Sequence, residues 1–220
     1  MSKANKSNKA IKYRLYPNDE QKVMFAKTFG CCRFVYNQLL ALQKQRYKDG
    51  ESHLSKLKSN EFATRTLKKD YDFLKEIDKF AVSNAVFHLA DAYDRFFKKQ
   101  NHFPKFKSKR KSKKSYTTNF TNNNILIGKN VIKLPKVGMV KAVIHKLPKD
   151  DWKLKSVTVS QDSVGNYFAS VLFEYEQEDI PSVSKSSTNA IGLDYKSDGL
   201  YMDSNGNKAG VHKYYRESHK

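Results

Sequence analysis

Acidic residues are scarce in this sequence, and so are cysteines and long apolar runs. Only 22 Asp and Glu stand against 42 Lys and Arg, which gives a formal net charge of +20. No stretch approaches the roughly eighteen consecutive apolar residues of a transmembrane helix. The basic first ten residues are followed by no apolar stretch, so we expect no signal peptide.

The two cysteines, Cys31 and Cys32, are adjacent in the chain. Neighbouring cysteines rarely bond to each other, and two ligands cannot close a zinc site. We therefore expect reduced, buried thiols in a cytoplasmic protein. The six histidines show no spacing suited to metal binding, and we interpret each as a surface residue.

What the sequence does contain is enough apolar material for a core. Apolar residues make up 39% of the 220 residues, with 14 Phe and 13 Tyr, so the chain is one large domain or two smaller ones. Clustered Lys and Arg displace the counterions condensed on phosphates, and this favours a nucleic-acid partner. The alternatives are a solvated basic surface without a ligand and a protein that binds a membrane surface.

The first hundred residues are typical of one strand followed by helices. Residues 10–16 alternate like a strand with one buried face, and Asn18 with Gln21 predicts a capping box that opens a helix through about residue 48. Gly30 is a possible break of that stretch into two helices. Two further helices are predicted over 54–76 and 79–99. The side chains expected to face inward are Phe25, Phe29, Cys32, Tyr36, Leu39, Leu57, Leu67, Tyr71, Leu74, Val82, Val86, Leu89, Tyr93, Phe96 and Phe97.

Residues 98–114 then hold nine basic residues, no acid, and the interleaved Phe103, Pro104 and Phe106. This composition favours a segment that follows phosphates while its aromatic rings pack on the core or on bases. The alternative is a disordered charged loop.

Short strands follow, and together with the N-terminal strand they suggest a small antiparallel barrel interrupted by the helical insertion. A hairpin connection is predicted at 162–166. The predicted strands are 115–120, 125–127, 131–134, 137–144, 154–161 and 167–175.

The last part of the chain begins a new element. Residues 176–189 are acidic and then Ser-rich, which is typical of a linker. A strand ending at Asp194, a bend, and a second strand follow, with Asn205–Gly206 suggesting a type I′ turn. An Asp directly after a short apolar strand is how a two-metal nuclease presents one Mg²⁺ ligand, although it is also common turn chemistry.

Taken together, segments that follow one another along the whole chain resemble the TnpB/OrfB family of transposon-encoded RNA-guided DNA endonucleases, long described as transposases and related to type V CRISPR effectors. The segments that carry the resemblance are Tyr13–Pro17, Gly30–Asn37, Asp91–Phe97 with Phe103–Lys107, Leu134–Gly138, Lys155–Val159 and Ile191–Asp194. The Gly30–Asn37 segment resembles the part of the family often labelled a helix-turn-helix.

The resemblance implies an α+β fold, in which a wedge-type antiparallel barrel (1–17 and 115–178) carries a helical recognition insertion (18–114). A linker (179–189) and the start of an RNase H-like RuvC domain (190–220) follow. It implies guide RNA and target DNA as partners and Mg²⁺ as the cofactor, with Asp194 as the catalytic, metal-binding carboxylate. The expected nucleic-acid-binding residues are Arg14, Arg33, Lys98, Lys99, Lys105, Lys107, Lys109, Arg110 and Lys111.

The sequence also departs from the family pattern. The later catalytic Glu and Asp and the four-Cys zinc ribbon are not found, and Asp194-Tyr-Lys lacks the Gly of the usual Asp-x-Gly. After Asp194 only Asp198, Asp203 and Glu217 remain. We therefore expect an N-terminal fragment that binds nucleic acid, holds no Mg²⁺ stably and cannot cleave alone. The alternatives are a nuclease-dead RNA-guided repressor and a simple helix-turn-helix DNA-binding protein.

Overall fold

The computed structural model describes residues 6–176, 191–195, 199–210 and 218. It divides the chain into two units, Met1–Glu178 and Asp179–Lys220. Most of the predicted linker falls at residues 177–190, outside the described residues.

The helical elements of the described residues lie in the first unit. They are α1 (Asp19–Lys48), α2 (Lys56–Glu61), a π-helical turn (Phe62–Leu67), α3 (Lys68–Asp70), a 3₁₀ turn (Asp72–Lys75) and α4 (Lys79–Phe97). No helix in the described part of the chain is both long enough and apolar enough to cross a membrane.

Helix α1 starts where the sequence predicts it. Asn18 Oδ1 accepts a hydrogen bond from the Gln21 amide at 2.8 Å, and Gln21 Oε1 accepts one from the Asn18 amide at 3.1 Å, which completes the predicted capping box. The Gln21 side-chain amide also donates to the Met139 carbonyl at 2.8 Å, which ties the start of the helix to the sheet.

The possible break at Gly30 is wrong, because α1 runs through this residue without interruption. Gly30 does not have a positive φ. A glycine inside a helix costs about 1 kcal/mol relative to alanine, and the apolar residues buried on both sides of Gly30 outweigh that cost. Buried side chains before it include Phe25 and Phe29, and those after it include Val35 and Leu39.

Replacing Gly30 by Ala tests this continuity. A Cβ added at Gly30 would have open space around it, with no neighbouring atom within 4 Å outside its own helix. We therefore expect G30A to raise the free energy of unfolding by about 0.5–1 kcal/mol in urea denaturation. The matched control is Gly50→Ala, which should destabilise because Gly50 has a φ of +71°. A loss of stability in G30A would indicate a turn at this position.

The predicted helix over 54–76 is only partly right. The segment is helical but divided into short pieces, and Tyr71, at φ −131° and ψ 93°, ends α3 in an extended conformation. Leu67 and Leu74 are buried as predicted, whereas Leu57 is 81% exposed and Tyr71 is 37% exposed. The segment meets the core at separate points instead of along one continuous stripe, so the 3.6-residue period is not maintained.

Helix α4 buries Val82, Val86, Leu89 and Tyr93, as predicted. The expectation for Phe97 is wrong, since this side chain is 64% exposed, whereas Phe96 is half-buried. The helix ends at Phe97, where the Phe96 ring packs against Phe103 of the following segment and the Phe97 ring packs against His53.

Seven strands form one antiparallel sheet in the order β2-β6-β7-β1-β5-β4-β3. The predicted strands are confirmed, most of them to within a residue or two at each end; β1 begins four residues earlier than predicted. The strands are β1 (Lys6–Tyr16), β2 (Lys114–Asn119), β3 (Leu126–Ile127), β4 (Val131–Leu134), β5 (Gly138–Val143), β6 (Lys153–Gln161) and β7 (Tyr167–Glu176).

This sheet is not the closed barrel that the sequence suggests. Strands β2 and β3 lie at its two edges and do not pair with each other. One face carries the buried side chains of every long strand, and α1 packs on it through aromatic contacts: the ring centroids of Phe25 and Tyr167 are 5.4 Å apart, and those of Phe29 and Tyr116 are 5.9 Å apart. Helices α1 and α4 both contact this face at β2, and α1 also reaches β7 through Phe25 and Tyr167.

Both cysteines are free and buried, as predicted. Burial raises the pKa of the Cys31 thiol to about 11 and that of the Cys32 thiol to about 12. The Cys32 thiol donates to the Ala81 carbonyl at 3.3 Å and so joins α1 to α4.

The second unit contains a three-stranded sheet of β8 (Leu193–Tyr195), β9 (Tyr201–Asp203) and β10 (Lys208–Ala209). The predicted type I′ turn at Asn205–Gly206 is wrong, because only Gly206 has a positive φ, of +85°. A type I turn followed by a left-handed glycine explains the observed geometry.

The same turn sequence, Asp-Ser-x-Gly-Asn, occurs at 162–166 between β6 and β7. In both turns the Asp Oδ1 accepts hydrogen bonds from two backbone amides, at 3.0 and 2.7 Å for Asp162 and at 2.9 and 2.8 Å for Asp203. The hairpin predicted at 162–166 is therefore confirmed. The turn at 203–207 is held by the same pair of hydrogen bonds to an Asp side chain.

Candidate nucleic-acid interface

The basic segment, residues 98–114, leaves the end of α4 and enters β2. Six of the nucleic-acid-binding residues predicted in it are solvent-exposed and one, Lys107, is half-buried. The six exposed cations are Lys98, Lys99, Lys105, Lys109, Arg110 and Lys111.

Asn37 of α1 holds the middle of the basic segment in place. The Lys107 amide donates to Asn37 Oδ1 at 2.8 Å, and the Asn37 side-chain amide donates to the Lys107 carbonyl at 2.9 Å. The ammonium group of Lys107 lies 4.0 Å from the ring centroid of Tyr36, and burial lowers the pKa of this lysine. These contacts fix Lys107 to the helix, so the disordered-loop alternative does not describe it.

Aromatic packing fixes the first half of the basic segment. Phe103 makes edge-on contacts with Tyr93 and Phe96, with ring centroids 5.6 and 5.2 Å apart. The ammonium group of Lys44 lies 5.4 Å from the Phe103 ring and 4.8 Å from the Phe106 ring. Phe103 is 39% exposed and Phe106 is 52% exposed, so both rings leave surface on which a base can stack.

A small turn presents the cations in the second half. The Ser112 amide donates to the Ser108 carbonyl at 3.2 Å, and the Lys111 amide donates to the Ser108 hydroxyl oxygen at 3.0 Å. Lys109, Arg110 and Lys111 lie on this turn and form no ion pair with any acidic side chain in the described part of the chain. Their charge is available to a phosphate backbone.

Asn37→Ala tests whether the segment depends on this anchor. Losing both hydrogen bonds should weaken local stability by about 1–2 kcal/mol, so the Lys107 amide should exchange its hydrogen about 5- to 30-fold faster. Trypsin should also cut within residues 98–114 sooner. Gln38→Ala is the matched control, since Gln38 is the next residue on α1 and its side chain makes no hydrogen bond to the described residues. Equal exchange rates in the two variants would contradict the anchor.

Arg14 lies on a separate surface, the β1 patch, formed by Lys12, Arg14, Tyr16 and Phe168. Ile11, Tyr13 and Leu15 point to the buried face of the sheet, so the alternating residues of β1 lie on the opposite face.

Cation–π contacts organise the β1 patch. The ammonium group of Lys12 is 4.2 Å from the Phe168 ring, and the Arg14 guanidinium is 5.0 Å from the same ring. Arg14 also donates a hydrogen bond to the Asn166 side-chain oxygen, and its Nε is buried without a partner. A half-buried aromatic ring beside two cations is suited to single-stranded nucleic acid.

Arg33 lies where α1 meets α4 and the start of β2. It is half-buried and lines a cavity with Lys107. From α1, an arginine at this position could contact a phosphate or pair with a nearby acidic side chain. No such ion pair is formed among residues 6–176.

Asp194 is exposed at the middle of β8, opposite Met202 of β9. In the described part of the chain, no group of three or more His, Cys, Asp or Glu side chains is placed to hold a metal ion. Asp203 is committed to its turn, where a hydrogen bond from the Asn207 side-chain amide and two from backbone amides lower its pKa. Asp198 and Glu217 lie outside the described residues.

Sequence reasoning missed several residues of these surfaces. Lys12 and Phe168 belong to the β1 patch, and two-residue alternation with Arg14 was the available signal for Lys12. Lys44 joins the basic segment from α1, two helical turns beyond Asn37, so it lies on the same face of the helix. Only the tertiary structure places Phe168 beside Lys12 and Arg14.

Comparisons with known proteins agree with the resemblance seen in the sequence. The OrfB family model described as a helix-turn-helix domain matches residues 7–52. A Streptomyces pristinaespiralis protein named "Putative RNA-guided DNA endonuclease" is 30% identical over 202 residues, or 91% of this chain. The Escherichia coli (strain K12) protein "Putative RNA-guided DNA endonuclease InsQ" is 29% identical over 192 residues, or 84% of this chain. The chain belongs to the TnpB/OrfB family.

The chain spans about half the length of these TnpB/OrfB relatives, 49% of the Streptomyces protein and 44% of InsQ. A chain of the solved Cas12f1–sgRNA–target DNA complex aligns with a TM-score of 0.41 and 11% identity, over 97% of this chain and 59% of that one. Residues 7–52, which match the helix-turn-helix model, form β1, the single helix α1 and the turn after it.

Proposed function

We propose that this chain is the nucleic-acid-binding N-terminal part of a TnpB-type RNA-guided DNA endonuclease, and that it holds guide RNA and target DNA. The observation that carries the proposal is the basic segment, in which unpaired cations and half-exposed phenylalanines are fixed by Asn37 and by packing on α4. Such a surface tracks a phosphate backbone through charge and stacks bases without reading their sequence. Sequence would be read by pairing with the guide.

The finer assignments are part of the same proposal. The seven-stranded sheet is the counterpart of the family's wedge-type domain, α1 to α4 are its recognition insertion, and 190–220 begin its RuvC domain. Asp194 is the first catalytic carboxylate of that domain. Mg²⁺ supplies Lewis-acid activation in such nucleases, and because the described residues offer no complete site for it, we expect this chain alone not to cleave DNA.

A binding experiment tests the proposal. Three labelled probes of one sequence are titrated with purified full chain by fluorescence anisotropy: an RNA hairpin, an RNA–DNA hybrid of about 20 base pairs and duplex DNA of the same length. We expect the two RNA-containing probes to bind more tightly than the duplex, with affinity falling steeply as salt rises. Preference for duplex DNA, retained after RNase treatment, would favour a simple DNA-binding protein instead.

A cleavage assay completes the test. The chain is incubated with target DNA, Mg²⁺ and the RNA that co-purifies with it. We expect binding without cutting, and robust cutting would contradict the expected inability to cleave.

A further inference from the structure

A partly enclosed cavity of about 40 Å³ lies between α1, α4 and the residues that enter β2. Four of its lining residues are cations, and no acidic side chain in the described part of the chain lines it. The four cations are Arg33, Lys107, Lys113 and Lys114. Serine and threonine hydroxyls and His88 complete the polar wall.

The cations come from three different parts of the sequence and are held by separate contacts. Arg33 is on α1, Lys107 is fixed by the paired hydrogen bonds to Asn37, and Lys114 donates to Gln161 Oε1 at 3.0 Å. A set of like charges around one cavity is unfavourable unless an anion compensates it. Within the described residues no carboxylate pairs with any of these four cations.

The polar inventory also matches one particular kind of anion. An arginine presents a planar fork of donors that fits two oxygens of a phosphate, whereas a lysine acts as a point charge. The interior has room for a single phosphate oxygen or a water molecule, so an anion would sit at the mouth.

We propose that this cavity is a phosphate-binding site, in which Arg33 donates to two oxygens while Lys107 and Lys114 neutralise the charge. The proposal deepens the proposed function, which supplies the source of the phosphate as one diester of a bound nucleic acid. Inorganic phosphate carries the same oxyanion chemistry, so the site can be tested without any nucleic acid.

The first arm uses inorganic phosphate with the full chain. Thermal unfolding is followed in phosphate and in chloride at equal ionic strength. We expect phosphate at about tenfold its Kd to raise the Tm of the wild type by about 2–5 °C. Arg33→Gln should abolish the shift and Arg33→Lys should restore part of it. Arg65→Gln is the matched control, because the Arg65 side chain is 80% exposed on the π-helical turn, and it should respond like the wild type.

The second arm uses the RNA hairpin. We expect R33Q to weaken binding about tenfold and to reduce the slope of log affinity against log salt by about 0.7–0.9, the effect of one lost phosphate contact. R65Q should change neither. Equal effects of R33Q and R65Q in both arms would overturn the phosphate site while leaving the proposed function intact.

The two arms can also support the phosphate site while contradicting the proposed function. A phosphate shift that depends on Arg33, in a chain that binds none of the three nucleic-acid probes, would support the site and contradict the proposed function. Far-UV circular dichroism establishes whether R33Q is folded. Should R33Q unfold, R33K still tests the site, because it should show a smaller phosphate shift than the wild type and R65Q.

Discussion

Neutralising four exposed cations of the basic segment should weaken RNA binding on the order of 10²- to 10³-fold at about 0.1 M salt. The substitutions are K105Q, K109Q, R110Q and K111Q, at residues that are exposed and free of ion pairs in the described chain. Each lost phosphate contact lowers the salt slope by about 0.7–0.9, so the slope should fall by about 3. Fluorescence anisotropy between about 50 and 500 mM salt measures both quantities.

The control must remove the same charge from another part of the surface. Lys58, Lys69, Lys129 and Lys149 are also exposed and lie outside the basic segment and the β1 patch. Changing all four to Gln gives an equal loss of net charge, and we expect a reduction in affinity of less than about tenfold from the long-range field alone. If the two quadruple variants bind equally weakly, net charge and not the basic segment determines affinity.

Phe25→Ala should lower the free energy of unfolding by about 3–5 kcal/mol. Phe25 is completely buried, and its ring centroid is 6.4 Å from that of Phe29, 6.3 Å from that of Tyr116 and 5.4 Å from that of Tyr167. It therefore joins α1 to strands β2 and β7. Removing the ring leaves a cavity at the contact between helix and sheet, where the surrounding aromatic side chains can relax only partly.

Urea denaturation followed by circular dichroism measures this loss. Val23→Ala is the control, because Val23 is two residues away on the same helix and is 56% exposed. We expect it to change stability by less than about 0.5 kcal/mol. A comparable loss in both variants would mean that helix propensity, and not packing against the sheet, determines the effect.

Local patterns in the sequence were sufficient for most of the elements. Two-residue alternation located β1, short segments separated by turns located the other strands of the large sheet, and the capping pair Asn18 and Gln21 located the start of α1. These signals are local. The capping pair is a contact between residues three apart, and the alternation reflects the side-chain period of a strand with one buried face.

The errors came from features that depend on distant parts of the chain. Whether a sheet closes depends on which strands meet at its edges, and in this sheet the edge strands β2 and β3 do not pair with each other. The possible break at Gly30 was predicted from the local cost of a glycine inside a helix, about 1 kcal/mol. The tertiary packing of α1 exceeds that cost. At 205–206, the sequence pair alone did not distinguish two turns that both favour glycine.

The candidate interface shows the same division. The charge and aromatic content of residues 98–114 could be seen in the sequence, but their fixed position depends on a contact between Asn37 and Lys107, 70 residues apart. The cavity around Arg33 likewise joins residues of α1, α4 and the entry to β2. Roles for Arg14, Arg33 and Asp194 remain predictions until binding and activity are measured.

Ultraviolet cross-linking of the full chain to the RNA hairpin, followed by mass spectrometry of the linked peptides, tests the central claim most directly. The account predicts adducts concentrated in residues 98–114, at or beside Phe103 and Phe106, whose half-exposed rings are placed to stack on bases. Adducts that are absent from this segment, or no more frequent there than around Lys58 and Lys149, would contradict it.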